Sequence, residues 1–433
     1  MAWKPAAPGA AQPRGSWWAA FNDPELNRLE DLTAQQNQTL AGSVAALTQA
    51  RALVTEARSQ YFPQISAVPS YYRQRTSRNA PVDGLPAGLA YNYNLYNAPI
   101  NATWEVDVWG RIRHLTEGAR ARMMAAGDDL ESLKLLLQAE LAQDYFTLRA
   151  EDAEIQLLID TAQAYQRSLD LTINRRKGGV ATDLDVSQAD TQLRTTQAQI
   201  PALQLQRAQM RHAIAALCGQ AATGFEITKQ PAQALPVLQA PALVPSEWLE
   251  RRPDIAAAER RVAAANADVG VAQTAFYPSL TINAQAGFQS VSADTWFNWP
   301  SRLWALGPAV NLPLFTGGYN RAQLAAARAA YDQTVANYRQ TTLSAFEDVE
   351  DQLAAQQLLT DQLAGEHAAM ISARQTLDIA NNRYKAGLVT YLEVVTSQSA
   401  ALDLERTVVQ LEGERSVAAV GLIKALGGGW QGN

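Results

Sequence analysis

The side chains able to do chemistry are few and scattered. The 433-residue chain holds one cysteine, Cys218, and three histidines, His114, His212 and His367. A lone cysteine excludes an intrachain disulfide and a thiolate cluster, and the histidines form no ligand-spaced motif. No phosphate loop, G-x-S-x-G elbow, H-E-x-x-H helix or dinucleotide fingerprint is present, and Gly427–Gly429 is followed by Trp430 rather than by a helix. Arg251, Arg252, Asp254 and Glu259 look like a reactive cluster. Pro253 with Asp254 behind it is more simply a helix entry. Asp183 and Asp185 follow Gly178-Gly179-Val180, where carboxylates would cap the amides of a helix start and favour its dipole. Ala386-Gly387-Leu388 repeats that turn, and in both places the glycine is read as a helix C-cap with positive φ. This inventory speaks against an enzyme and predicts no cofactor and no metal.

Lys and Arg number 36 and Asp and Glu 42, a net charge of −6. Nucleic acid is therefore not the expected partner, because phosphate binding needs a basic footprint. Hydrophobic residues make up 47%, which is ample for a core. No apolar run approaches the roughly 18–20 residues of a spanning helix, so a helical inner-membrane protein is excluded. A transmembrane β-barrel is not, because its strands alternate. The opening MAWKPAAPGAAQPRGSWW lacks the apolar core of a secretion signal. The chain is thus either cytoplasmic or a mature or trimmed form. The Pro/Ala-rich opening predicts an extended tail with no packing of its own.

The elements that would position these residues occur twice. YFPQIS at Tyr61–Ser66 resembles FYPSLT at Phe276–Thr281, and Arg175–Val186 resembles Arg383–Val394 at an offset of 208. Each half runs helix, Tyr/Phe-Pro step, β-like segment, loop, β-like segment, very long helix, Gly turn, helix. The pattern predicts a first repeat over 1–218, a linker over 219–244 and a second repeat over 245–433, related by pseudo-symmetry. The long helices are predicted over 113–176 and 320–386, roughly 95–100 Å each. Their apolar residues step by three and four: Leu137, Leu141, Tyr145, Leu148, Ile155, Leu158, Ala162, Tyr165 and Leu169 in the first, and Tyr331, Val335, Tyr338, Phe346 and Val349 in the second. Shorter helices are predicted over 32–61, 183–218, 252–276 and 391–425, paired end to end beside the long ones.

Four stretches read as strands. Ile100, Ala102, Trp104, Val106 and Val108 alternate with polar residues, as do Leu280, Ile282, Ala284, Ala286 and Phe288. Trp304, Leu306, Val310, Leu312 and Leu314 share a parity, and 65–76 is the poorest case. Each has the length of a tilted strand crossing a bilayer. On period alone, a soluble sheet packed on helices fits as well. The intervening loops, 78–99 and 292–301, are polar, and Trp296, Phe297 and Trp299 at strand ends match an interfacial girdle. Four strands cannot close alone, whereas three chains would supply twelve and leave no edge.

These residues resemble the trimeric outer-membrane efflux channels typified by TolC and OprM. The most specific stretch is Leu243–Thr281. Its core Arg251-Arg252-Pro253-Asp254-Ile255 with Ala258-Glu259 is similar to the signature of the lipoprotein branch that partners resistance–nodulation–division pumps. Trp18, Phe21, Asp23, Pro24 and Leu26 fit that branch's amino-terminal pattern, and Phe315-Thr316-Gly317-Gly318 its strand-to-helix turn. The signal peptide and lipid-bearing cysteine of such members are missing from this sequence, which is read as a trimmed chain.

The resemblance implies an α+β membrane protein: a trimeric twelve-stranded β-barrel, four strands per chain, in the outer membrane of a Gram-negative bacterium. A long α-helical tunnel would continue it through the periplasm, with a mixed equatorial region between. It implies a passive exit for drugs or other small molecules, a homotrimer in contact with outer-membrane lipid, a periplasmic adaptor, and an inner-membrane pump that supplies the energy. Adaptor docking would fall on Gly178, Gly179, Val180, Ala386, Gly387 and Leu388. The channel entrance would be narrowed by Asp185, six residues after the turn glycine, with Asp183 beside it. Tyr384 matches a gate tyrosine, while Val389 and Thr396 stand where some members carry an arginine and an aspartate. The rival from another class is a soluble coiled-coil scaffold, which explains the rods but not the strand pair before each.

Overall fold

A computed structural model of the protein describes residues 15–79, 90–228 and 251–428. Asp23 starts the first helix, α1 (Pro24–Gln36). Its carboxylate accepts from the amides of Glu25 at 2.8 Å and Leu26 at 3.2 Å, with Pro24 at the first helical position. The sequence predicts one helix over 32–61. Instead the chain breaks at Asn37, whose ψ is 122°. Its side-chain oxygen accepts from Leu40 N and so opens α2 (Gln38–Ser59), while its amide donates to Leu217 O at 2.8 Å.

Beyond α2 come β1 (Gln64–Ala67), β2 (Ser70–Arg75), β3 (Asn92–Val106), α3 (Arg111–Lys177) and α4 (Asp183–Leu217). Then follow α5 (Pro253–Thr274), β4 (Ser279–Ser290), β5 (Arg302–Asn311), α6 (Tyr319–Lys385) and α7 (Tyr391–Ala425). Lengths recur: α2 and α5 have 22 residues each, α3 and α6 have 67, and α4 and α7 have 35. None of the described helices is long and apolar enough to cross a membrane.

The chain divides into two compact units. The first takes Met1–Ala45, Gly127–Ala257 and Arg339–Asn433. Its helices bury residues in steps of seven. Leu148, Ile155, Ala162 and Leu169 form one row of α3, and Leu158, Tyr165 and Thr172 the next. In α6 the row is Val349, Gln356, Leu363, Met370 and, after Leu377, Tyr384. A seven-residue period keeps the seam against its neighbours, as in a coiled coil. Two polar members find partners: Gln356 donates to Arg415 O at 3.1 Å and Thr172 to Ser168 O at 2.9 Å. Phe346, expected in this seam, is exposed, because the buried row passes through Ala345 beside it.

A second core lies at the other end of these rows. Trp17, Phe21, Leu26 and Leu29 pack with Leu141, Tyr145, Phe146, Ile214 and Val420. The opening of the chain therefore does pack from its 3-10 turn Trp17–Phe21 onward, contrary to expectation, because Trp17 and Phe21 fill that core. The predicted tail's first 14 residues lie outside the described ones. So do 229–244 of the predicted linker, whose described start buries Ile227 in the same core.

The second unit takes Ala46–Ala126 and Ala258–Tyr338. Its sheet is antiparallel, in the order β1/β2, β3, β4, β5. One register carries β1 and β2 along β3, from Gln64 opposite Thr103 to Arg75 opposite Asn92. They are one strand, interrupted where Pro69 and Pro99, which lack amide protons, fall nearly opposite. The last strand positions expected are trimmed. Val108 follows Asp107, whose carboxylate turns back to cap Ile112 N and Arg113 N, both at 2.9 Å. Leu312 and Leu314 flank Pro313, and β5 stops at Asn311.

Candidate functional site

In the first unit the two Gly turns end α3 and α6 with the same hydrogen bonds. Gly179 N donates to Arg176 O and Val180 N to Arg175 O, both at 2.9 Å. Gly387 N donates to Tyr384 O at 3.0 Å and Leu388 N to Arg383 O at 2.9 Å. This is the Schellman closure, and it needs the left-handed φ of 75° at Gly179 and 74° at Gly387. Val180 and Leu388 are exposed.

After the first turn, Asp185 enters a capping box. Its Oδ2 accepts from Thr182 N at 2.8 Å and from Thr182 Oγ1 at 2.9 Å, while Asp185 N donates back to Thr182 Oγ1 at 3.2 Å. Asp183 is exposed and pairs with Arg176 at 2.5 Å. In the second turn, Glu393 lies 3.9 Å from Arg383. Thr396 is exposed and donates to Leu392 O of its own helix.

Tyr384 is buried among Leu169, Ala189, Ala380 and Val394, edge-on to Tyr391 at 5.1 Å. The Tyr384 hydroxyl is buried with no hydrogen-bond partner among the described residues. Tyr391 meets Ser168 at 3.1 Å, and burial raises its pKa. Tyr165 donates to Gln398 O at 3.1 Å, and burial pushes it up to about 12. Sequence reasoning missed Arg175. Its guanidinium lies over the Tyr384 ring at 4.8 Å and donates to Lys385 O at 2.9 Å, one of the unpaired carbonyls ending α6. The only signal was its place in the repeated turn, matching Arg383.

In the second unit every alternating apolar set falls on one face. The register aligns Ile65 with Ala102, then Ala284 and Leu306, and aligns Trp104 with Ile282 and Pro308. On the reverse face Asn101 aligns with Gln285 and Thr103 with Asn283, and Gln285 donates to Asn101 at 3.0 Å. The apolar face is bare: Ile65, Ile100, Trp304, Leu306 and Val310 are all exposed. Aromatics border it at both ends. At one end Tyr71, Tyr96, Trp296, Phe297 and Phe288 form a chain with centroid spacings of 4.8–5.7 Å. At the other, Trp109 stacks on Tyr277 at 4.9 Å and donates to Pro278 O. This second belt was written in the Tyr/Phe-Pro steps but not read as one.

The remaining candidates have structural duties. Arg252 binds Asp254 at 2.7 Å, Asp348 at 3.0 Å and Ala425 O at 3.0 Å, anchoring the end of α7. Pro253 and Asp254 open α5, and Arg251 and Glu259 flank that entry. Cys218 is fully buried at the end of α4, and burial raises its thiol pKa. His114 pairs with Glu117, His367 with Glu412, and His212 neighbours Arg211. Among the described residues no cluster of acidic, histidine and cysteine side chains could hold a metal.

The outer membrane efflux protein family model matches residues 29–220 and 244–428. The chain belongs to that family. The outer membrane protein OprJ of Pseudomonas aeruginosa is 32% identical over 99% of this chain and 91% of its own length. The toluene efflux pump outer membrane protein TtgF of Pseudomonas putida is 33% identical over 96% and 85%. The outer-membrane channel OprN superposes with a TM-score of 0.90 at 30% identity, covering 99% of each chain. The outer membrane protein VceC of Vibrio cholerae gives 0.89 at 29%, covering 98% of this chain and 100% of its own. As an outer membrane efflux protein the chain is a transport channel and not an enzyme. It is the outer-membrane exit of an efflux system, set in the outer membrane of a Gram-negative bacterium and reaching into the periplasm. The soluble scaffold reading falls with this membership.

Proposed function

We propose that three copies of this chain close their sheets into one twelve-stranded barrel, through which small molecules leave passively. One observation carries it: a four-stranded sheet, apolar on one face and polar on the other, with both edge strands unpaired among the described residues. An open edge is a template for another strand, and a closed barrel removes all edges. The apolar face then meets outer-membrane lipid, and Asn101, Thr103, Asn283 and Gln285 face the lumen. The equal lengths of α3 and α6, and of α4 and α7, support a duplicated chain with repeats at 1–218 and 245–433 joined by 219–244. The helices form the periplasmic tunnel, whose energy source is an inner-membrane resistance–nodulation–division pump reached through a periplasmic adaptor. Adaptor hairpins dock on Gly178, Gly179, Val180, Ala386, Gly387 and Leu388. Asp185 and Asp183 line the tunnel entrance, with Tyr384 as the gate and Thr396 nearby.

Relatives are named for exporting toluene, antibiotics, pyoverdine and cations. That range supports an exit that does not select, with choice made at the pump. Mass determination in mild detergent, paired with planar-bilayer recording, tests the proposal. Three chains and a conducting pore are expected. A monodisperse monomer in plain buffer would overturn it.

A further inference from the structure

The outward face of the sheet carries charge at one end only. At the end next to α3 the charged strand residue is Glu105, which lies on the opposite face with Asn101 and Thr103 and is paired with Arg111 at 2.6 Å. At the far end the charged side chains among the described residues of 70–79, 90–100 and 286–304 are Arg73, Arg75, Arg78, Arg302 and Asp294. Arg73, Arg75 and Arg78 are exposed and make no ion pair among the described residues. Arg302 is exposed, and its guanidinium lies over Trp299 at 4.6 Å and donates to Trp299 O at 3.1 Å.

The register decides which way these arginines face. Arg73 and Arg75 continue the row of Ile65 and Tyr71, and Arg302 continues that of Trp304 and Leu306. All three stand on the bare apolar face. Tyr71, paired with Tyr96, marks the aromatic chain. Arg73 and Arg75 lie about 7 and 14 Å beyond it at ~3.4 Å per residue. Arg302 is opposite Phe288, within the aromatic chain itself.

We propose that Arg73, Arg75 and Arg302 form a surface for the phosphorylated headgroups of outer-leaflet glycolipid. The inference rests on the membrane-channel reading above. Aromatic belts sit at headgroup level, so cations at and just past the belt meet the phosphates. An arginine fork binds phosphate through paired N–H groups, and three such forks, with no acidic residue at the described strand positions of this face, leave their charge for the lipid. A second copy of the chain is not the occupant, because barrel closure uses strand edges and leaves this face free.

The test compares wild type with a variant carrying Arg73→Gln, Arg75→Gln and Arg302→Gln. Both are reconstituted in phosphatidylcholine bilayers holding either bisphosphorylated lipid A or its dephosphorylated form. After extraction in neutral detergent, mass spectrometry counts retained lipid A. Wild type should retain about fivefold more of the phosphorylated form, and the variant should retain both forms equally with unchanged conductance. Wild-type retention should also fall as KCl rises from about 50 to about 500 mM. Equal retention by wild type and variant, or retention insensitive to phosphate or to salt, overturns the proposal. So does full displacement of lipid A by millimolar inorganic phosphate, which would make this an anion site rather than a lipid surface. A wild type that does not conduct sinks the channel reading itself, whereas a conducting wild type without enrichment sinks only this one.

Discussion

Arg175, two residues before the end of α3, stacks on Tyr384 near the end of α6, a residue 209 positions later in the chain. The same side chain donates to Lys385 O, so a single guanidinium ties the two helix ends together. Stacking contributes about 0.5–2 kcal/mol and a charged hydrogen bond about 1.5–3. Arg175→Ala should therefore loosen the tip and raise resting conductance in planar bilayers. Tyr384→Ala should do the same, and the double variant should add little. Tyr384→Phe should leave conductance at the wild-type level, since it removes only an unpartnered hydroxyl. Additive effects of the two alanine substitutions would show that the stack does not hold the tip.

The turn glycines separate docking from folding. A Cβ built on Gly179 or Gly387 meets nothing within 4 Å. The cost of a side chain there is the left-handed backbone alone, about 1–2 kcal/mol. Gly387→Asn should export normally, because Asn tolerates that conformation. Gly387→Trp should abolish export in a susceptibility assay while the trimer persists in mild detergent. Normal export by Gly387→Trp would remove this turn from the docking surface.

Asp185 has two duties that one substitution can separate. Its Oδ2 closes the capping box with Thr182, a role that an Asn oxygen can also fill. Asp185→Asn should change stability by under about 0.5 kcal/mol. Three carboxylates around one axis attract cations over about 8–10 Å in physiological salt. The reversal potential in asymmetric KCl should therefore move toward zero in the variant. No movement would mean that Asp185 is a helix cap and nothing more.

Stability should fall as pH rises from about 5 to about 7. Glu151 lines a cavity of about 450 Å³ with Gln143, Glu154, Gln352 and Gln410, and its Oε2 is buried without a partner among the described residues. Burial, then Asp152, push its pKa up to about 7 from 4.5, while Arg207 opposes the shift. Asp144 is raised to about 6, again by burial first and then by Glu140. In that window the folded state holds more protons than the unfolded one, so deprotonation disfavours folding until pH passes the folded pKa. Thermal unfolding should have a higher midpoint at pH 5.5 than at pH 8, and Glu151→Gln should narrow the gap. A midpoint that rises with pH across this range would contradict the burial argument.

Much of this fold was legible because it is periodic. Leu148, Ile155, Ala162 and Leu169 recur every seven residues, so their helix and its buried seam follow from spacing alone. The strand faces followed from a period of two, and the turn glycines from the positive φ that a Schellman closure demands. Asn37 was not legible as a break, because it acts as one by bonding Leu217, 180 residues away. The stretch 65–76 was read as one strand, if the poorest of the four, and the register that β1 and β2 share on β3 carries it across Pro69. The Arg175–Tyr384 stack and the Trp109–Tyr277 belt are partnerships between distant segments. Sequence by itself determined which residues share a helix stripe or a strand face, since that is set by local backbone geometry. Only the tertiary structure decided which stripe meets which, because long-range partners are chosen by packing and hydrogen bonding once the chain has brought them together.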